Sequence, residues 1–194
     1  MPYIAPIVEG HGEVEAVPAL LQRIAEMEAP DRLLEVNRPI RVKAGSFLND
    51  QDYFKRYVTL ASSKAAQEGG FVLILLDCED ECPATLGPDI LRRARAVRND
   101  VTYVVGLAYR EYESWFLAAA RSLRGLRGLP SDLEPPGNVD GIRDAKGWLG
   151  SRMTVPYDPV MHQVEFSRIF DLIQARANAS FDRLYKRVSE ALGP

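Results

Sequence analysis

The chain has 194 residues, 46% hydrophobic and 26% charged, an ordinary globular composition long enough for one full core and one to two domains. A net charge of −3 opposes a generally basic nucleic-acid binder but leaves room for a local basic groove. Two cysteines, Cys78 and Cys82, are too few for a secreted disulfide scaffold, and Cys-x3-Cys without paired histidines nearby, the two histidines being His11 and His162, is a poor structural zinc site.

The N-terminus has no signal-peptide pattern, and no apolar run approaches membrane-spanning length. The expectation is a cytoplasmic chain with reduced thiols and no membrane association.

In chain order, Tyr3–Val8 is short and apolar and reads as a buried strand that starts near Pro6, because proline cannot donate to a ladder. Residues 14–27 repeat Val14, Val17, Leu21, Ile24 and Met27 at helical spacing, with an irregular turn or kink expected at Pro18. Ile40, Val42 and Ala44 alternate as an edge strand over 38–44. A helix is expected over 52–68, stopped by Gly69 and Gly70. The apolar run 71–76, ending at Asp77, must be covered on both faces, as in a central parallel strand.

A helix at 87–98, a buried strand at 101–108 and an amphipathic helix through Tyr112, Trp115, Phe116 and Leu123 follow. Residues 125–161 are rich in proline and glycine, with a short helix near Asp144–Leu149. Two helices close the chain, one carrying Phe166, Ile169, Phe170 and Ile173, the other capped by Ser180. The alternation predicts an α/β fold with a mostly parallel, four-stranded, Rossmann-like sheet flanked by helices. Residues 1–124 form the α/β domain, and 125–194 form a loop and helices that pack on it.

The stretch following the first strand, "VEGHGEVEAV", carries the first chemical signal. Gly10 and Gly12 begin a dinucleotide fingerprint, but the third glycine position is Glu15, and no Walker lysine follows. The glycines therefore serve a sharp turn. Glu13 and Glu15 suit a first helical turn, where they complement the helix dipole, but Glu9 precedes the turn and is left unexplained.

The second signal is "LLDCEDEC", where Asp77, Glu79, Asp80 and Glu81 crowd the carboxyl end of the most apolar strand. Alternation aims Asp77 and Glu79 to one side, and Cys78 to the other. If the two strands are neighbours, Glu9, Asp77 and Glu79 converge, and oxygen-only ligands favour Mg²⁺ or Mn²⁺ over zinc or copper; the alternative is a solvated acidic loop after the strand. Glu111 and Glu113 follow a third strand, where one could ligate a metal or orient a ligand and one could cap a helix.

Strand–Glu9-Gly10-x-x-Glu13–helix followed by strand–Asp77-x-Glu79 resembles the Toprim fold, the catalytic domain of topoisomerases, bacterial primases and overcoming-lysogenisation-defect nucleases. "VEGHGEVEAV", "YESWFLAA" and "ARANASFDRL" are similar to an uncharacterised family of small bacterial Toprim-like proteins. The resemblance implies Glu9 as a metal ligand or general acid/base, Asp77 and Glu79 as the metal pair, and Glu13 as the extra ligand of the nuclease branch. Lys146 is the candidate for that branch's downstream lysine.

It further implies Mg²⁺-dependent phosphodiester hydrolysis, as in phage defence or DNA processing. Arg92, Arg93, Arg95 and Arg98, with Arg121, Arg124 and Arg127, could supply basic groups for a nucleic acid; the alternative for each is a solvated helix face. The alternatives are a non-catalytic scaffold for a partner ATPase and a nucleotide phosphohydrolase.

Overall fold

The computed structural model describes residues 2–79 and 81–193. Its strands are β1 (Tyr3–Val8), β2 (Glu35–Val36), β3 (Ile40–Arg41), β4 (Phe71–Asp77) and β5 (Thr102–Ala108). The helices are α1 (Glu13–Glu28), α2 (Ala44–Asn49), α3 (Gln51–Glu68), α4 (Pro83–Val97), α5 (Ser114–Ala118), α6 (Ala145–Gly150), α7 (Pro159–Ser167), α8 (Leu172–Ala175) and α9 (Ala179–Leu192). All strand pairs are parallel, in the order β2-β1-β4-β5, with β3 also paired to β1. Because β2 and β3 share one side of β1, the five strands make a sheet four positions wide.

The fold is thus α/β and Rossmann-like, with a helical C-terminal region. From β1 the chain crosses to β2 and β3 on one side, then returns over β1 to β4 and β5. Right-handed crossovers in opposite directions place their helices on opposite faces. Accordingly, α1 packs with Ile4, Val8, Leu73, Leu75 and Val104, and α3 and α4 pack with Ala5, Ile7, Val72, Ile74 and Val105. Helices α5 and α7–α9 share the α1 face, in one continuous apolar cluster.

Several sequence expectations are corrected. β1 runs through Pro6 from Tyr3. The carbonyls of Pro2, Ile4 and Val8 accept from Glu35, Asn37 and Val42, so even-numbered residues of β1 turn their backbone toward β2 and β3. Pro6 faces the gap between those two strands, where its missing N–H forfeits no ladder bond. The expected strand over 38–44 shrinks to Ile40–Arg41, and residues 44–49 turn into α2. Helix α4 begins at Pro83, which suits a first helical position.

In α1, Met27 is 48% exposed and Leu20 is buried in its place. The helix expected through Phe166 and Ile173 is two helices: Asp171 caps α8 through the N–H groups of Ile173 and Gln174, leaving Ile173 58% exposed. Asn178, not Ser180, caps α9. Ser180 is buried, where its hydroxyl accepts the Trp115 indole N–H at 2.9 Å. No helix among the described residues is long and apolar enough to cross a membrane.

Candidate active site at the carboxyl ends of the strands

The crossovers leaving β1 and β4 part in opposite directions, and a crevice opens between them at the carboxyl ends, where open α/β sheets bind ligands. A cavity of about 420 Å³ lies there, lined by Glu9, Glu13, Asp77, Glu79, Glu111 and Lys146 among others.

Glu9 directly follows β1, and Gly10-His11-Gly12 turns the chain into α1. A Cβ on Gly12 would lie 2.2 Å from the Pro159 carbonyl oxygen and 2.1 Å from Gln163 Oε1, so α7 seals one wall directly against this turn. Glu13 folds back beneath the turn and is 3% exposed. Its Oε2 accepts the Glu9 N–H at 3.1 Å, and the Gly10 N–H also bonds the carboxylate. Burial pushes its pKa up to about 7 against those backbone donors. Burial, then the nearby Glu79, also raise the pKa of Glu9, while Lys146 and the Asp77 backbone N–H pull it back.

Asp77 ends β4 and accepts the Tyr112 N–H at 2.8 Å. Burial, followed by the charge of Glu13, raises its pKa well above its ordinary value. Glu79 reaches the same cavity by a route that strand alternation does not supply. It is left-handed (φ 43°), as is Arg110 (φ 65°) beyond β5, and the Glu79 N–H donates to the Arg110 carbonyl at 3.2 Å. Left-handed non-glycine residues are costly and concentrate at functional sites. Cys78 points into the opposite core, as alternation requires. Asp80, counted in the acidic cluster, lies outside the described residues.

The third component comes from the region that the sequence leaves irregular. Glu111 Oε2 accepts the N–H groups of Ala145 (2.8 Å) and Lys146 (3.1 Å), capping α6, and its Oε1 receives the Lys146 ammonium at 3.0 Å. Lys146 Nζ also stands 3.1 Å from Glu113 Oε2 and 4.0 Å from Asp77 Oδ2. Burial opposes the ammonium's charge, but Glu113, Asp77 and Glu111 outweigh it and the Lys146 pKa is raised. Glu113 is fully buried behind the cavity. Its Oε1 accepts Gln163 Nε2 at 2.7 Å and the Tyr157 hydroxyl at 2.9 Å. Burial and this carboxylate raise the Tyr157 pKa.

Of the residues singled out in sequence, Glu9, Glu13, Asp77, Glu79 and Lys146 therefore meet in one cavity, and Glu113 braces it from behind. Among the described residues, no three acidic, histidine or cysteine side chains form a ready-made metal cage. The reason is visible in the contacts: Glu13 is committed to its own turn, and an ammonium stands beside Asp77.

The helix arginines lie elsewhere. Arg92 and Arg93 pair with Asp89, Arg98 with Asp100, Arg121 and Arg124 with Glu134, and Arg127 with Glu165. The cations on the cavity wall are Arg110, Arg143 and Lys146. His11 is exposed at the rim. His162 is structural, with its Nδ1 2.8 Å from the Asp158 N–H and its ring stacked on Tyr157. Arg143, Tyr157 and Gln163 carried no sequence signal as site residues, because only the docking of α6 and α7 brings them here, whereas Arg110 is placed by the end of β5.

A family model described as a domain of unknown function, DUF4276, matches residues 8–189. The chain belongs to this family. No curated protein and no solved structure matches it. The DUF4276 match spans both the sheet and the C-terminal helices, as does the cavity, to which β1, β4, α6 and α7 all contribute.

Proposed function

We propose that this cavity is a Toprim-like site for divalent-cation-dependent phosphodiester hydrolysis. The observation that carries the reading is the convergence of Glu9, Asp77 and Glu79 in one cavity at the switch point between β1 and β4. Their donor set is oxygen only, which suits Mg²⁺ or Mn²⁺. Burial first, and then neighbouring carboxylates, raise the pKa values of Glu9 and Asp77, the environment in which a bound cation would favour the charged form. An incomplete protein cage fits Mg²⁺, which keeps several waters and takes further oxygens from a substrate phosphate.

Glu9, Asp77 and Glu79 would hold the cation, which when bound would supply charge neutralisation and a more acidic water. Glu13 shapes the turn that presents Glu9. Glu9, half-buried, is suited to take or hold a proton at its carboxylate. Arg110, Arg143 and Lys146 line the same cavity and would offer positive charge to a phosphate. A non-catalytic scaffold, with an ATPase as its partner, is the second reading. It is favoured by the Lys146 ammonium, which already offsets several of the acids.

Calorimetric titration with Mg²⁺ and Mn²⁺, followed by assays on single- and double-stranded nucleic acids and nucleoside triphosphates, separates these readings. Wild type should bind the cation and hydrolyse a phosphodiester. Glu9→Gln and Asp77→Asn should lose activity by at least about a hundredfold while keeping the wild-type circular dichroism. Cation binding with no hydrolysis supports the scaffold. Hydrolysis unchanged in either variant removes these acids from the mechanism.

A further inference from the structure

Five carboxylates line the cavity against three cations, Arg110, Arg143 and Lys146. Glu9, Glu13, Asp77, Glu79 and Glu111 line it, and Glu113 lies fully buried behind. Into this group a single short helix, α6, delivers an ammonium. Lys146 Nζ stands 3.0 Å from Glu111, 3.1 Å from Glu113 and 4.0 Å from Asp77. The delivery is enforced twice by one carboxylate, since Glu111 caps α6 through the Ala145 and Lys146 N–H groups and also grips the ammonium. Ala145 and Leu149 anchor α6 in the apolar core, which fixes the point from which Lys146 reaches the cavity.

We infer that Lys146 is the resident counter-ion of the site: it balances the carboxylates while no divalent cation is bound, and withdraws from Asp77 when one binds. This rests on the divalent-cation reading above. An ammonium beside Asp77 and a divalent cation on Asp77 repel each other at contact range, so the two compete for one cluster of negative charge. The arrangement would set the cation affinity and keep the empty site from repelling itself apart.

The test is Mn²⁺ titration by calorimetry of wild type, Lys146→Gln and Lys146→Arg, with thermal unfolding in Mn²⁺ and in EDTA. The glutamine amide keeps donors for Glu111 and Glu113 without the charge. Lys146→Gln should bind Mn²⁺ about tenfold more tightly or better, and gain more Tm from Mn²⁺ than wild type does; Lys146→Arg should stay near wild type. A glutamine variant that folds only with Mn²⁺ supports the same conclusion.

Wild-type binding with equal or weaker binding by Lys146→Gln overturns the counter-ion role and leaves the cation reading standing. Absence of binding in both overturns the two together. Wild type alone supplies a further measurement: Mn²⁺ should speed acylation of Lys146 by an amine-reactive reagent, read by mass spectrometry, and an unchanged or slower rate overturns the inference.

Discussion

Glu13 shows how one side chain carries both architecture and charge. Its carboxylate is buried to tie down the Glu9–Gly10 turn, and its pKa rises from 4.5 to about 7. A folded state with the higher pKa binds its proton more tightly than the unfolded chain. The contribution is therefore complete below pH 4.5, is lost as pH rises to about 7 and is flat beyond. In EDTA, unfolding stability should fall by about 3 kcal/mol across that window, and Glu13→Gln should flatten the fall. Urea denaturation at pH 5 and pH 8 measures it; equal slopes in both proteins would show that Glu13 is not the titrating group. Asp77 and Glu9, also raised, contribute slope of the same sign and leave a residual pH dependence in the variant.

At the scale of elements, the turn between β1 and α1 and the start of α7 form one joint. The Gly12 position admits no Cβ, because the Pro159 carbonyl and Gln163 amide occupy its space. Gly12→Ala should lower stability by about 1–3 kcal/mol, by the general cost of overpacking, and should weaken cation binding by shifting Glu9. Chemical denaturation and the same titration check both effects; a wild-type midpoint would mean that α7 can retreat freely. The two glycines were legible as a turn, but the need for Gly12 was not, since its neighbours lie about 150 residues downstream in sequence. Pro6 is the converse case: strand chemistry argued against it within β1, and only the gap between β2 and β3 accommodates it. The N-cap of α6, Asp144, is local, but the hold of Glu111 on the Ala145 and Lys146 N–H groups was illegible, because it comes from a different segment.

At the scale of the molecule, the C-terminal helices complete the layer over one sheet face. Phe166, Phe170, Phe181 and Val188 are fully buried in the cluster that contains Val17, Leu21, Ile24 and Leu73. Helix α9 presses so closely on β5 that a Cβ on Gly106 would meet Leu184 at 2.7 Å. A fragment of residues 1–124 would expose that face, so it should show no cooperative thermal unfolding transition by near-ultraviolet circular dichroism. A sharp transition in the fragment would make the helices an appendage.

The sequence by itself determined the α/β class, the two buried strands β4 and β5, and the acids placed at strand ends, because these depend on local period and on residues adjacent in the chain. It placed Glu9, Asp77 and Glu79 at the right edge of the sheet. Their meeting depended on β1 and β4 being neighbours, which strand order alone decides. Lys146, marked in sequence by resemblance only, came into the site through Glu111, Glu113 and α6. The short helix near Asp144–Leu149 was legible and is α6, but the carboxylates that hold Lys146 were not, since they come from a distant segment. The balance of charge in the cavity is likewise a property of the fold: carboxylates and ammonium come from separate segments, and only packing brings them within contact distance.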